Sequence, residues 1–289
     1  MTFASVGELQ ARLGGVLRIA GGELKILDEA RFRSDVIDEL VFEAVFNADG
    51  GPRDAARWLI WAASGALGCG SASIHELYMA RGRGEFDPTR FTVPAINVRA
   101  STYLTARQAF AAALDRDAAA VIFEIAKSEM AYTDQRPAEY TAVILAAAIR
   151  EGWQTPVFLQ GDHFQFNATK WKADADGEMR GLKDLTAEAI AAGFCNIDID
   201  SSTLVDLEQP TVRGQQRVNA ENTAGLTRLI RGLEPDGVTI SIGGEIGEVG
   251  KHNSTEEELR AYVDQYRELT GDLTGISKVS VQTGSSHGG

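Results

Sequence analysis

From residue 91 onward, short apolar runs alternate with stretches of helical periodicity, and this alternation constrains the fold of the 289-residue chain more than any other feature. The apolar runs cover residues 93–98, 119–126, 156–161, 195–200, 238–242 and 276–283, with helical patterns at 103–114, 138–151, 182–192, 220–233 and 255–269 between them. Strands separated by helices pair in parallel through right-handed crossovers, since neighbouring antiparallel strands need only a tight turn. The punctuation agrees: Ser254-Thr-Glu-Glu-Glu offers a capping hydroxyl followed by first-turn acids, and Gly152, Gly193 and Gly271 follow helix ends. Six strands of the βα kind are countable before the sequence stops at Gly289. The pattern predicts either a (β/α)8 barrel of which about six strands are present, cut short at the C-terminus, or an open parallel sheet.

Residues 1–90 read differently. Helical patterns at 7–17, 35–46, 55–67 and 74–81 are separated by Gly-, Asp- and Pro-rich loops, including 47–52 and 82–88. They predict a helical N-terminal extension over 1–90 joined to a (β/α) domain over 91–289.

With 28 Lys+Arg against 41 Asp+Glu, the net charge of -13 disfavours a nucleic-acid partner. No apolar run approaches the ~20 residues that span a bilayer, and the first residues lack a basic-then-apolar leader, so a cytoplasmic, membrane-free protein is expected. Cys69 and Cys195 lie far apart in apolar surroundings and are expected to be reduced core residues.

Both α/β architectures place ligand groups at the carboxyl ends of strands. That rule selects Asn97 and Arg99, Lys127 and Ser128, Asp162 and His163, Asp198 and Asp200, Glu245, and Ser286 and His287. Asp198 and Asp200 share one strand face, which must look at solvent or at a cation rather than a dry core. His163, His287, Asp200 and Glu245 are the nitrogen and oxygen ligands that Zn²⁺ accepts, although strand-end acids also cap helices. His75, in the helical extension, is expected to be a packing or surface residue, and His252 lies in the loop after the fifth strand, near enough to Glu245 to be conceivable as a ligand.

Leu159-Gln-Gly-Asp-His163 resembles the Asp-His motif of class II, metal-dependent fructose-bisphosphate aldolases. Ile197-Asp-Ile-Asp-Ser-Ser is similar to their fourth-strand motif, Gly244-Glu-Ile-Gly247 to their Glu-Leu-Gly, Gly284-Ser-Ser-His-Gly288 to their Gly-Thr-Ser-His-Gly, and Ala95-Ile-Asn97 to their Ala-Phe-Asn. The resemblance implies a TIM-type barrel, dimeric or higher, that cleaves or forms a ketose bisphosphate such as fructose 1,6-bisphosphate in cytoplasmic, glycolytic carbohydrate metabolism. It implies Asp162 as catalytic acid/base and His163 and His287 as zinc ligands. Asp200 and Glu245 would serve a second or alternate position for a divalent or monovalent cation. Asn97, Gly284, Ser285, Ser286 and Gly288 would contact the phosphorylated sugar. The resemblance also places a third zinc histidine and further phosphate contacts beyond Gly289, and the family's loop glutamate has no counterpart at Gly250-Lys-His-Asn. Two alternatives stand beside it: a Schiff-base aldolase using Lys278, and a non-catalytic, barrel-derived binding protein.

Overall fold

The computed structural model describes residues 2–87, 89–90, 92–247 and 253–283. In chain order, α1 (Val6–Leu13) is capped by Ser5, whose Oγ accepts from the Glu8 N–H at 3.2 Å. The antiparallel strands β1 (Leu17–Ala20) and β2 (Glu23–Ile26) follow, turning through Gly21 and Gly22 at φ 61° and 83°. Next come α2 (Glu29–Arg31), a π-helical turn at Phe32–Val36, α3 (Ile37–Phe46), α4 (Gly50–Ala66) and α5 (His75–Gly82). From there strands and helices alternate: β3 (Ala95–Asn97), α6 (Thr102–Asp115), β4 (Ile122–Ala126), α7 (Lys127–Thr133), α8 (Pro137–Glu151), β5 (Phe158–Gln165), α9 (Ala168–Ala173) and α10 (Ala175–Ala191). The chain continues through β6 (Asn196–Asp200), α11 (Val212–Leu233), β7 (Ser241–Glu245), α12 (Glu256–Thr270) and β8 (Lys278–Ser280).

The chain folds into two compact units. The first comprises Met1–Ala72, Thr92–Leu159 and Ala192–Phe194. Within it β3 pairs in parallel with β4, with Asn97 opposite Glu124. Residues 140–149 of α8 are all buried, as expected of a helix that is apolar on every side. The Phe110 ring stands 4.7 Å from Phe123 and 5.3 Å from Trp153 between centroids. Polar ties from the N-terminal helices reach the βα part of the same unit: Arg57 pairs with Glu139 at 3.3 Å, and the Tyr103 hydroxyl donates to Asp38 Oδ1 at 2.5 Å.

The second unit comprises Ser73–Phe91, Gln160–Ala191 and Cys195–Gly289. Strands β5, β6, β7 and β8 pair in parallel in chain order, with Gln160 opposite Asn196, Ile197 opposite Ile242 and Gly244 opposite Val279. Ile246, directly after β7, and Val279 of β8 pack with Ala220 and Ala224 of α11 and the stacked Tyr262 and Tyr266 of α12, whose ring centroids are 6.2 Å apart. Thr255 and Glu258 form the expected capping box of α12, with Glu258 Oε2 accepting from the Thr255 N–H at 2.6 Å.

The class is therefore α/β: among the described residues six parallel strands alternate with helices as in a TIM-type barrel, preceded by the N-terminal helices that the periodicity predicts. Three local features go beyond expectation: the hairpin of β1 and β2 lies within the helical extension, the short helices α7 and α9 form in stretches to which the sequence assigned no element, and β5 runs on to Gln165 instead of ending before Asp162. No helix among the described residues is long and apolar enough to cross a membrane.

Candidate metal centre

Successive residues of a strand ordinarily point to opposite faces. Asp162 and His163 do not: His163 Nε2 lies 3.2 Å from Asp162 Oδ1. The reason is a register shift in the pairing of β5 with β6 between Gly161 and Phe164. His163 takes φ 41°, in the left-handed region that a side-chain-bearing residue seldom adopts. At Gly161 an added Cβ would fall 2.5 Å from the Phe164 ring, so the absence of a side chain there lets Phe164 fold into the core behind the bulge. The sequence Gly-Asp-His-Phe thereby brings an acid and an imidazole to one place.

Strands β6 and β7 bring two more acids to the same imidazole. His163 Nδ1 stands 3.1 Å from Glu245 Oε2 and 3.6 Å from Asp200 Oδ2. Asp200 is only 2% exposed, so its orientation has to be held by the protein. Gln165 Nε2 donates to its Oδ2 at 2.5 Å, while the Ser202 N–H and Oγ donate to its Oδ1 at 3.0 and 2.6 Å. Glu245 is fixed through its backbone: Asn219 Nδ2 of α11 donates to the Glu245 carbonyl at 2.8 Å, and Gln216 Nε2 to the Ile246 carbonyl at 3.1 Å. Ser201, directly after β6, donates to Asn219 Oδ1 at 2.7 Å. One buried amide thus ties the end of β6 to the end of β7.

The electrostatics follow from this crowding. Asp200 and then Glu245 hold the proton on the His163 imidazole against the effect of burial, pushing its pKa up to about 11. Burial works to raise the Asp200 carboxyl, but hydrogen bonds involving His163, Ser202 and Gln165 outweigh it and keep that group below the ordinary carboxylate range.

The same donor set fits a metal ion. One atom each from His163, Asp200 and Glu245 lies within 4.8 Å of the others. Ligands about 2.0–2.2 Å from a tetrahedral ion stand roughly 3.3 Å apart, close to the separations at His163 Nδ1. Nitrogen with two carboxylate oxygens suits zinc or a related divalent ion. Such an ion and the imidazolium proton compete for one place, because a ligating imidazole must be neutral.

Asn97 and Arg99 lie in the first unit, where Asn97 Nδ2 donates to Glu129 Oε2 at 3.1 Å and Arg99 Nε pairs with Glu129 Oε1 at 3.0 Å. His75 opens α5 and is buried. Cys69 and Cys195 are free and buried, and burial pushes the Cys69 thiol up to about 11. His252, Gly284, Ser285, Ser286, His287 and Gly288 lie outside the described residues. Sequence reasoning overlooked Gln165, Asn219 and Gln216. For Gln165 the signal was an apolar strand continuing as Phe164-Gln165 past the reactive pair; for the α11 amides it was a run of Gln and Asn on a helix face otherwise buried.

The family model described as Fructose-bisphosphate aldolase class-II matches residues 86–289. The match covers well over half of the chain, and the chain belongs to the class-II fructose-bisphosphate aldolase family. Among solved structures, one similar to it is a probable tagatose 6 phosphate kinase from Sinorhizobium meliloti 1021, at 20% sequence identity and a TM-score of 0.48. That likeness covers 66% of this chain and 49% of the other, so the chain spans about half the length of the structure it matches. No curated protein matches it.

Proposed function

We propose that the chain is a zinc-dependent aldehyde-lyase that cleaves or forms a phosphorylated ketose, with a ketose bisphosphate such as fructose 1,6-bisphosphate as the first candidate. The observation that carries this reading is the meeting of Asp162 and His163, at the bulge of β5, with Asp200 and Glu245, at the ends of β6 and β7, in a chain of the aldolase family. His163, Asp200 and Glu245 would hold the ion, with His287 as the further histidine that the family motif suggests. A zinc ion there would supply Lewis-acid polarisation of the substrate carbonyl.

Asp162 is suited to the proton work. It is 8% exposed and stands beside His163, outside the group formed by His163, Asp200 and Glu245. In the cleavage direction its carboxylate takes the proton of the hydroxyl next to the bond being broken. That oxygen becomes a carbonyl, the carbon–carbon bond breaks, and its electron pair passes to the adjacent ketone, which becomes the enediolate fragment. A proton returned to the carbon that lost its neighbour completes the second product. The Gly284–Gly288 stretch would bind the sugar phosphate, and the enzyme would act as a dimer or larger assembly.

The test is retro-aldol assay of the chain before and after chelation. Activity lost to chelator, restored by Zn²⁺, and leaving no adduct on borohydride treatment with substrate is the expected result. Chelator-resistant activity with a borohydride adduct at Lys278 would replace this reading with Schiff-base chemistry.

A further inference from the structure

Asp198 stands opposite Gly243, and Gly243 opposite Lys278. Two residues further along the same strands come Asp200, Glu245 and Ser280, so the first row lies on the same faces about 6–7 Å below the second. In a barrel interior such a row is ordinarily filled by Val, Ile and Leu. Here it holds an acid, a glycine and a lysine.

Lys278 Nζ lies 2.9 Å from Asp198 Oδ1, donates to Gln160 Oε1, and stands 5.7 Å from the centroid of the Tyr78 ring. Gln160 Nε2 donates to the other Asp198 oxygen at 2.9 Å. The glycine makes this possible. A Cβ at position 243 would fall 2.2 Å from Asp198 Oδ1 and 2.8 Å from Lys278 Cε, so any side chain there would occupy the path by which the lysine crosses β7. A carboxylate, an amide carbonyl and an aromatic face around one positive charge form the surroundings that a small cation selects, and the occupant is tethered to the chain. The Asp198 carboxylate also comes within 4.8 Å of Asp162, so an unneutralised charge on it would act directly on the proposed proton carrier.

We propose that the Lys278 ammonium is the built-in occupant of an internal monovalent-cation site formed by Asp198, Gln160 and the Tyr78 ring, one row beneath the metal cluster. It neutralises Asp198 and relieves the centre of any need for a free second cation. The inference extends the metal-centre reading, but its test measures stability and is unaffected if the chain proves inactive or binds no zinc.

The experiment compares melting temperatures in ammonium, potassium and tetramethylammonium chloride at equal ionic strength. Lys278→Ala is expected to melt lower than the parent chain and to recover in ammonium or potassium but not in tetramethylammonium, which is too large for the vacated space. The parent and Lys278→Arg should be indifferent to the choice of salt. Asp198→Asn/Lys278→Ala should be equally indifferent, because the charge that recruits the cation is gone. Lys278→Ser serves as a milder excision if the alanine variant fails to fold in every salt. An excised variant that responds alike to all three salts, or to none, overturns the proposal, as does a double variant that still distinguishes them.

Discussion

At His163 the backbone accepts a φ of 41°, a conformation that costs a non-glycine residue about 1–3 kcal/mol and persists only where the surroundings enforce it. The bulged pairing and the three neighbouring acids do so here. The imidazole and the Asp162 carboxylate come from adjacent residues, yet the proposed chemistry gives them separate work. Asp162→Asn should therefore lower retro-aldol turnover by about 10²–10⁴-fold while zinc content, measured by elemental analysis, stays near that of the parent. Turnover that survives this change would remove Asp162 from the mechanism. A second titratable residue, His75, belongs to stability. Its imidazole is buried, with Nδ1 unbonded among the described residues. Burial lowers its pKa against the pull of Glu76 and Glu234, with Arg231 and Arg83 acting in the same direction as burial. The unfolded chain then takes up a proton below about 6.5 that the folded chain resists. Stability is fully present above that pH and falls as the solution is acidified through it. Between pH 7.5 and 5.5 the urea midpoint of the parent should therefore move downward relative to that of His75→Phe, a comparison in which the opposite contribution of His163 is common to both.

Between elements, the decisive contacts run from α11 to the strand ends. Asn219 joins Ser201 after β6 to the Glu245 carbonyl of β7, and it is fully buried. Asn219→Leu would leave the Glu245 carbonyl without this partner, at a cost of about 1–3 kcal/mol for a buried group left unpaired, while the Ser201 hydroxyl keeps the Asn219 carbonyl and Thr223 Oγ1 within reach. The variant should unfold at lower urea and bind zinc more weakly, because Asp200 and Glu245 lose their common brace. Thr270→Ser on α12, a buried change away from the cluster, supplies the control for stability alone. The periodicity of α11 was legible as a helix, but its polar face gave no hint of its targets. Residues 219 and 245 meet only after β6, α11 and β7 have packed. The hairpin of β1 and β2 was hidden for a different reason: four-residue strands joined by Gly21-Gly22 are too short for period-two alternation to outweigh helical neighbours.

For the whole molecule, a ligand that binds only the folded state raises the unfolding temperature by mass action. Zn²⁺ should raise the melting temperature of the parent chain, and His163→Ala should lose most of that rise. An equal rise in both would move the metal away from this cluster. The family match over residues 86–289 and the strand–helix alternation over the same stretch agree because both register one pattern: apolar strands that end in polar ligands. Net charge and helix hydropathy contributed only exclusions, since neither carries spatial information.

The amino-acid sequence by itself determined the α/β class, the order of the strands, and the residue types at their ends, because periodicity and strand-end chemistry are local properties of the chain. Asp162, His163, Asp200 and Glu245 can all be named from it alone. The tertiary structure decided how they meet. Alternation along a strand would have sent Asp162 and His163 to opposite faces, and only the bulge in β5 places them together. It also decided what Lys278 does, since the gap at Gly243 that lets it reach Asp198 exists only once three strands lie side by side.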